Sequence, residues 1–258
     1  MSKRLIVTAD DFGDTPGVNA AVIEAYRAGV LRFASLMVNR PAAAEAAALA
    51  RKNPGLGVGL HVELCADAPQ IAGLRYFFDP RARAGVEGEI RAQVEAFLKL
   101  GLKPTHVDGH MNVHVHPTIF PIMCRLAREY SIPRVRLPSG EWEANKSYAS
   151  GPSTDAAVLA GVFGVMGAWI RGAASGLDVP QTWGFLRSGM MSEDYALWLI
   201  GRLPKGTTEL YFHPTTDKSL RAGLRPTATH QSTTELETLL SARVRRAIED
   251  GGVELLSA

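Results

Sequence analysis

Short apolar runs alternate along this chain with longer segments in which apolar side chains recur every three or four positions. The short runs predict strands at 4–8 (RLIVT), 33–38 (FASLMV), 57–61 (GVGLH), 105–108 (THVD), 134–137 (RVRL), 182–186 (TWGFL), 208–212 (TELYF) and 252–256 (GVELL). The longer segments predict helices at 17–28, 41–52, 86–100, 117–130, 153–172, 192–202 and 234–249. Eight strands and seven helices in alternation indicate an α/β fold with parallel strands, and that number favours a closed or nearly closed barrel over an open sheet. Local signals agree: Pro16 opens the first helix and Gly29 can cap its end, while Ser192 with Glu193 and Asp194 places acid at a helix start. Two stretches, 64–85 and 138–152, fall outside the alternation and are expected as loops shaping the mouth of a site. No repeat or linker divides the chain, so residues 1–258 are expected to form a single barrel domain.

Composition narrows the function only a little. An apolar share of 46% with 21% charged residues describes an ordinary soluble protein, and a net charge of +2 gives no argument for nucleic acid. Cys65 and Cys124 form no CxxC pair and suit a reducing compartment. The N-terminus has too short an apolar stretch for a signal peptide, and the apolar segment 156–170 is shorter than the roughly 20 residues a bilayer span needs. A cytoplasmic enzyme is expected. The 156–170 patch could nonetheless touch membrane lipid or an apolar substrate tail, although a buried helix explains it equally well.

The chemistry gathers at strand ends. Asp10 and Asp11 follow the first strand candidate; a bare pair of aspartates also fits a turn, but a strand-to-loop transition can aim both at one cavity. His61 ends the third strand candidate at the level where parallel α/β folds place their sites, with Glu63 a weaker companion. Four of the seven histidines (106, 110, 114 and 116) fall within PTHVDGHMNVHVHP. His110 and His114 would share a face of a helix; His110, His114 and His116 would share one side of an extended chain. Asp108 could fix an imidazole tautomer. His213 follows another strand, where imidazole near its ordinary pKa can protonate a leaving group, and Arg136 could orient a carboxylate. His106 is expected to be structural and His230 exposed. Dinucleotide, Walker, GxSxG, HExxH and CxxC signatures are absent, which puts metal-assisted hydrolysis ahead of nucleotide chemistry.

Read in order, TADDFG, GLHVEL, PTHVDGHMNVHVHP, RVRLP and ELYFHP resemble the YdjC-like carbohydrate deacetylases, from about residue 3 to the C-terminus. The segments YFFDPRARAGVEGEIRAQVEAFLKLGLKPTHVDGH, WGFLRSGMMSE and LPKGTTELYFHP are most similar to the branch associated with hopanoid biosynthesis. The resemblance implies a variant of the glycoside hydrolase and deacetylase (β/α) barrel and a metal-dependent removal of an N-acetyl group from an amino sugar. It implies Asp11, His61 and His110 as ligands of a divalent ion, Mg2+ or Zn2+. It further implies Asp10 as base, His213 as acid, Arg136 as the support of Asp10, and His114 at the border of metal or sugar. A carboxylate base and an imidazole acid would give a bell-shaped pH dependence. The branch implies an N-acetylglucosaminyl hopanoid as substrate. A chitooligosaccharide deacetylase, a glycosidase and a non-catalytic carbohydrate-binding protein are the alternatives. Met111 and Asn112 depart from the family pattern, which usually has histidine at 112 and often a basic or imidazole side chain at 111.

Overall fold

The computed structural model describes residues 2–65, 69–148, 154–219 and 231–258. In chain order the elements are β1 (Lys3–Phe12), α1 (Pro16–Ala28), β2 (Phe33–Leu36), α2 (Ala43–Lys52), β3 (Gly57–Val62), α3 (Pro69–Phe78), α4 (Pro80–Lys99), β4 (Val107–Gly109), a 3-10 segment (His110–Val115) and α5 (Ile119–Glu129). There follow β5 (Leu137–Pro138), α6 (Glu141–Asn145), α7 (Thr154–Ile170) with a 3-10 turn (Arg171–Ala174), β6 (Gln181–Trp183), α8 (Glu193–Ile200), β7 (Gly206–Phe212), α9 (Thr233–Leu240), α10 (Ala242–Asp250) and β8 (Val253–Leu255).

Seven parallel strands form a nearly closed barrel in the order β4-β3-β2-β1-β7-β6-β5. The remaining gap is spanned by one parallel bridge, Val107 to Val135: Val107 N donates to the Arg134 carbonyl at 3.0 Å and Arg136 N to the Val107 carbonyl at 3.2 Å. The eighth strand candidate exists, but it takes no full place in the wall. β8 pairs with Lys3–Leu5 of β1, below the point where β2 joins at Thr8. Every residue of β1 from Leu5 to Phe12 is buried, as expected of a strand with side chains filling the barrel on one face and helices covering the other.

The expected caps are present. Thr15 and Pro16 open α1, Gly29 closes it in a left-handed conformation (φ 100°), and Ser192 caps α8 by accepting from Tyr195 N. The two expected loops are corrected: within 64–85 lie α3 and the first turns of α4, and within 138–152 lies α6. Gly85 and Gly88 hide the helical period of α4, yet Asp79 caps it, Pro80 starts it, and Ala82, Val86, Ile90, Val94 and Phe97 bury one face. Residues 66–68 and 149–153 of those stretches lie outside the described residues, as does His230. The single helix expected at 234–249 breaks at Ser241, whose Oγ accepts from Arg243 N and Val244 N to start α10.

Candidate active site

The C-terminal ends of β1, β3, β4 and β7, with the residue preceding β5, converge on one buried polar cluster. At its centre is an irregularity in β1. The register against β2 shifts between Ala9 and Phe12, and Asp11 adopts φ 62°, a left-handed conformation that costs a non-glycine residue about 1 kcal/mol or more. This bulge lets neighbouring carboxylates serve one cavity although strand neighbours ordinarily face opposite ways. Both aspartates are buried.

Asp11 meets two imidazoles. His110 Nδ1 is 3.1 Å from Asp11 Oδ1 and His61 Nε2 is 3.5 Å from the same oxygen. One donor atom from each of Asp11, His61 and His110 falls within 4.8 Å of the others, the spacing of a common ion. His61 is turned toward this point by its other nitrogen, which donates to Asp108 Oδ1 at 2.7 Å; Asp108 Oδ2 in turn accepts from Ser35 Oγ at 2.8 Å. A carboxylate behind an imidazole in this way fixes the tautomer that leaves Nε2 free to ligate. Burial alone would raise the Asp11 carboxyl, but His110, His213 and His61 outweigh it and hold the pKa well below the usual carboxylate range. Burial would likewise discharge His61, yet Asp108, Asp10 and Asp11 keep its pKa above the ordinary value.

Beside this group lies Arg136, fully buried. Its Nη1 and Nη2 donate to the two oxygens of Asp10 at 2.5 and 2.9 Å, and Nη2 also contacts Asp108 and Glu209 at 2.9 Å each. The guanidinium lies 4.5 Å from the centre of the Tyr211 ring. Burial works against its charge, but Asp10, Asp108 and Glu209 outweigh that and keep it a permanent cation. Asp10, His61 and Asp108 also have converging donor atoms, but Arg136 already supplies the positive charge there. Three buried carboxylates (Asp10, Asp108 and Glu209) contact this one guanidinium, while Asp11 pairs with His61 and His110. The donor set of one carboxylate and two imidazoles at Asp11, His61 and His110 fits a divalent ion.

His213, just past β7, lies across the cluster with Nε2 3.9 Å from Asp10 Oδ2. Glu235 of α9 accepts from the His213 main-chain N–H and from Met191 N, and lies 3.8 Å from His213 Nδ1. Burial pushes the imidazolium down, but the contact with Glu235 and the charges of Asp11 and Asp10 outweigh it and raise its pKa to about 9. The ring is thus held protonated at neutral pH.

The other histidines of the 105–117 segment are separated. Met111 and Asn112, both left-handed (φ 55° and 54°), interrupt the 3-10 segment, so neither the helical nor the extended alignment applies. His114 is fully buried and its Nε2 donates to the Arg136 carbonyl, which ties it to the backbone that carries the arginine. His116 packs against Phe77, with ring centroids 4.1 Å apart, and its Nδ1 accepts from Thr118 N. His106 is buried between Ser35 and Thr105, and burial with Arg134 nearby lowers its pKa to about 3, so it stays neutral. Glu63 pairs with Arg40. Asn112 donates to Tyr211 Oη at 3.1 Å.

Glu209, Tyr211 and Glu235 are absent from the sequence-derived candidates. Glu209 accepts from Thr8 and Thr182 as well as Arg136. A period-2 reading of β7 would have found the first two, since 209 and 211 alternate in step with His213. Glu235 stands in Ser232-Thr-Thr-Glu235, a pattern that reads as a helix-capping box; Ser232 does cap α9, while the glutamate turns to His213 instead.

A family model described as YdjC-like protein matches residues 4–250. A carbohydrate deacetylase from Geobacillus stearothermophilus is 43% identical over 145 residues, which are 52% of this chain and 59% of that protein, so the match spans less than two thirds of the relative. A chitooligosaccharide deacetylase from Serratia marcescens is 37% identical over 182 residues, 64% of this chain and 72% of its own. A crystal structure from Enterococcus faecalis V583, described as a candidate cellobiose-phosphate cleavage protein, has a TM-score of 0.72 at 23% identity, covering 99% of this chain and 97% of its own. A family 4 carbohydrate esterase from Streptomyces lividans in complex with acetate has a TM-score of 0.52 at 12% identity, covering 98% and 91%. At those identities the two structures speak for the barrel alone. With five ordered motifs inside a match that runs from residue 4 to 250, the chain belongs to the YdjC-like family.

Proposed function

We propose that the chain is a metal-dependent deacetylase that removes the N-acetyl group from an N-acetylglucosamine-containing substrate. The observation that carries this reading is the placement of a converging donor set (Asp11, His61, His110) beside a carboxylate and a protonated imidazole 3.9 Å apart. Curated relatives that act as carbohydrate and chitooligosaccharide deacetylases support the reaction class.

Asp11, His61 and His110 would hold the ion; one carboxylate and two imidazoles suit Zn2+ by ligand type, and the family resemblance also suggests Mg2+. A divalent cation supplies Lewis acidity toward the acetamide carbonyl and the attacking water. Asp10 takes the proton of that water, with Arg136 fixing both its oxygens so that no reorientation is needed as the carboxylate becomes an acid. His213 gives its proton to the departing nitrogen, and acetate and the free amine separate. A glycosidase would instead need a protonated carboxyl flanking a glycosidic bond, and Asp10, Asp108 and Glu209 are all held by Arg136.

The finer substrate reading is an N-acetylglucosaminyl hopanoid, with peripheral contact to membrane lipid. It is supported by the segments similar to the hopanoid-associated branch and by the exposed apolar surface of α7. The chitooligosaccharide alternative is tested by the same assay: acetate release is measured from a soluble chitooligosaccharide and from the glycolipid, with metal and with chelator. No acetate from any N-acetyl amino sugar in the presence of metal would refute the enzyme, and turnover of the oligosaccharide alone would refute the lipid substrate.

A further inference from the structure

The helix α7 presents apolar residues on all its described faces, yet few of them are covered. Phe163, Met166 and Ile170 turn inward, with Phe163 stacked on Phe185 at 5.5 Å, while Val158, Val162, Val165 and Trp169 form an outward stripe. Val165 and Trp169 are each 73% exposed. Of the stretch from Ala157 through the 3-10 turn to Ala174, 17% is buried. A helix apolar on every side is ordinarily covered by protein or lipid.

Two other elements continue this surface around the site. The end of α3 exposes Leu74, Phe77 and Phe78, the last 79% exposed, and the loop that brings Ser188 to His213 exposes Met190. Both α3 and α7 pack against the 110–115 segment that begins with His110. The apolar groups therefore border the site on more than one side. Exposed apolar patches of this extent mark interaction surfaces.

We propose that this rim is a lipid-docking surface, in which α7 and the end of α3 enter the acyl boundary of an anionic leaflet and hold the site mouth against it. Charge favours lipid over a second copy. No acidic residue occurs from 156 to 170 and exposed Arg171 lies two residues after Trp169; around Phe78, exposed Arg75, Arg81 and Arg83 outnumber Asp79. Aromatic side chains beside cations match the bilayer interface and its anionic headgroups. The proposal deepens the glycolipid reading, but its test needs no turnover.

Sedimentation with vesicles of phosphatidylglycerol and phosphatidylcholine, against phosphatidylcholine alone, measures the docking directly. Binding is expected to the anionic vesicles, with a blue shift of tryptophan emission that Trp169→Phe removes while binding persists. The double variant Val165→Glu, Trp169→Glu should bind at least about tenfold more weakly, and its melting temperature and deacetylation of a soluble amino sugar should match the unaltered chain. Phe78→Glu should weaken binding independently. Absence of vesicle binding by the unaltered chain would overturn the proposal, as would a solution dimer that the double variant dissociates. If vesicles bind and no amino sugar is deacetylated, the docking stands and the enzymatic reading falls.

Discussion

Substituting Glu235→Gln tests how the protein keeps its proposed acid charged. The carboxylate touches His213 from behind, 3.8 Å from Nδ1, and the imidazolium pKa rises from an ordinary 6.5 to about 9 despite burial. That difference corresponds to about 3 kcal/mol of preference for the charged ring. Asp11 and Asp10 share in it, but a cation on Asp11 would cancel much of that carboxylate's part and leave Glu235 as the main support. Imidazolium donates the proton, so activity is present below the His213 pKa and lost as pH rises through it. With glutamine at 235, the alkaline limb of kcat/KM should move down by about one pH unit or more. The rate on the acid side, around pH 6, should fall far less than at pH 8. The assay is acetate release across pH 5.5 to about 10 in the metal-loaded enzyme, with thermal unfolding as control because Glu235 also accepts from Met191 N. An alkaline limb left in place, with the fold intact, would refute the idea that Glu235 sets the charge of His213.

Other outcomes follow from the same geometry. Asp10→Asn should abolish hydrolysis while sparing metal binding measured by calorimetry; an active variant would remove Asp10 as base. Arg136→Met strands Asp10, Asp108 and Glu209 without their buried cation and should cost about 3–5 kcal/mol in denaturant unfolding; a cost under about 1 kcal/mol would mean that the ion cluster is solvated. Asp108→Asn leaves the ligands in place but loosens His61, so metal affinity should fall about 10–100-fold, and an unchanged affinity would remove the orienting role. Because a cation must displace the proton favoured on His61 by Asp108 and Asp10, metal binding should release protons and tighten as pH rises. Calorimetry in buffers of different ionisation enthalpy reads this, and no buffer dependence would contradict it.

The barrel was legible because its strands are short apolar runs separated by capped helices, a pattern that survives in sequence whatever the exact closure. The exact strand count of the wall was not legible: β8 shares the β2 edge of β1 but pairs only with Lys3–Leu5, below the point where β2 joins, and that position is set by packing. The strand-end residues Asp10, Asp11, His61, Arg136 and His213 could be brought together on topology alone, since parallel strands deliver their last residues to one rim. The histidine run misled because two consecutive left-handed residues, Met111 and Asn112, carry no glycine to announce them. Glu209 hid inside an apolar strand, and Glu235 hid as a helix cap. The exposure of α7 was beyond reach, because an apolar helix reads alike whether protein covers it or not.

The bridge between Val107 and Val135 joins the residues that immediately precede Asp108 and Arg136, and the ion pair between those two side chains crosses the same seam. The wall is therefore fastened at its weakest join by the very atoms that brace the base. A fluctuation that unzips this join would strain the Arg136–Asp108 pair and, through Arg136, the brace on Asp10. Slow exchange of the Val107 and Arg136 amide hydrogens would be the signature of that shared clasp.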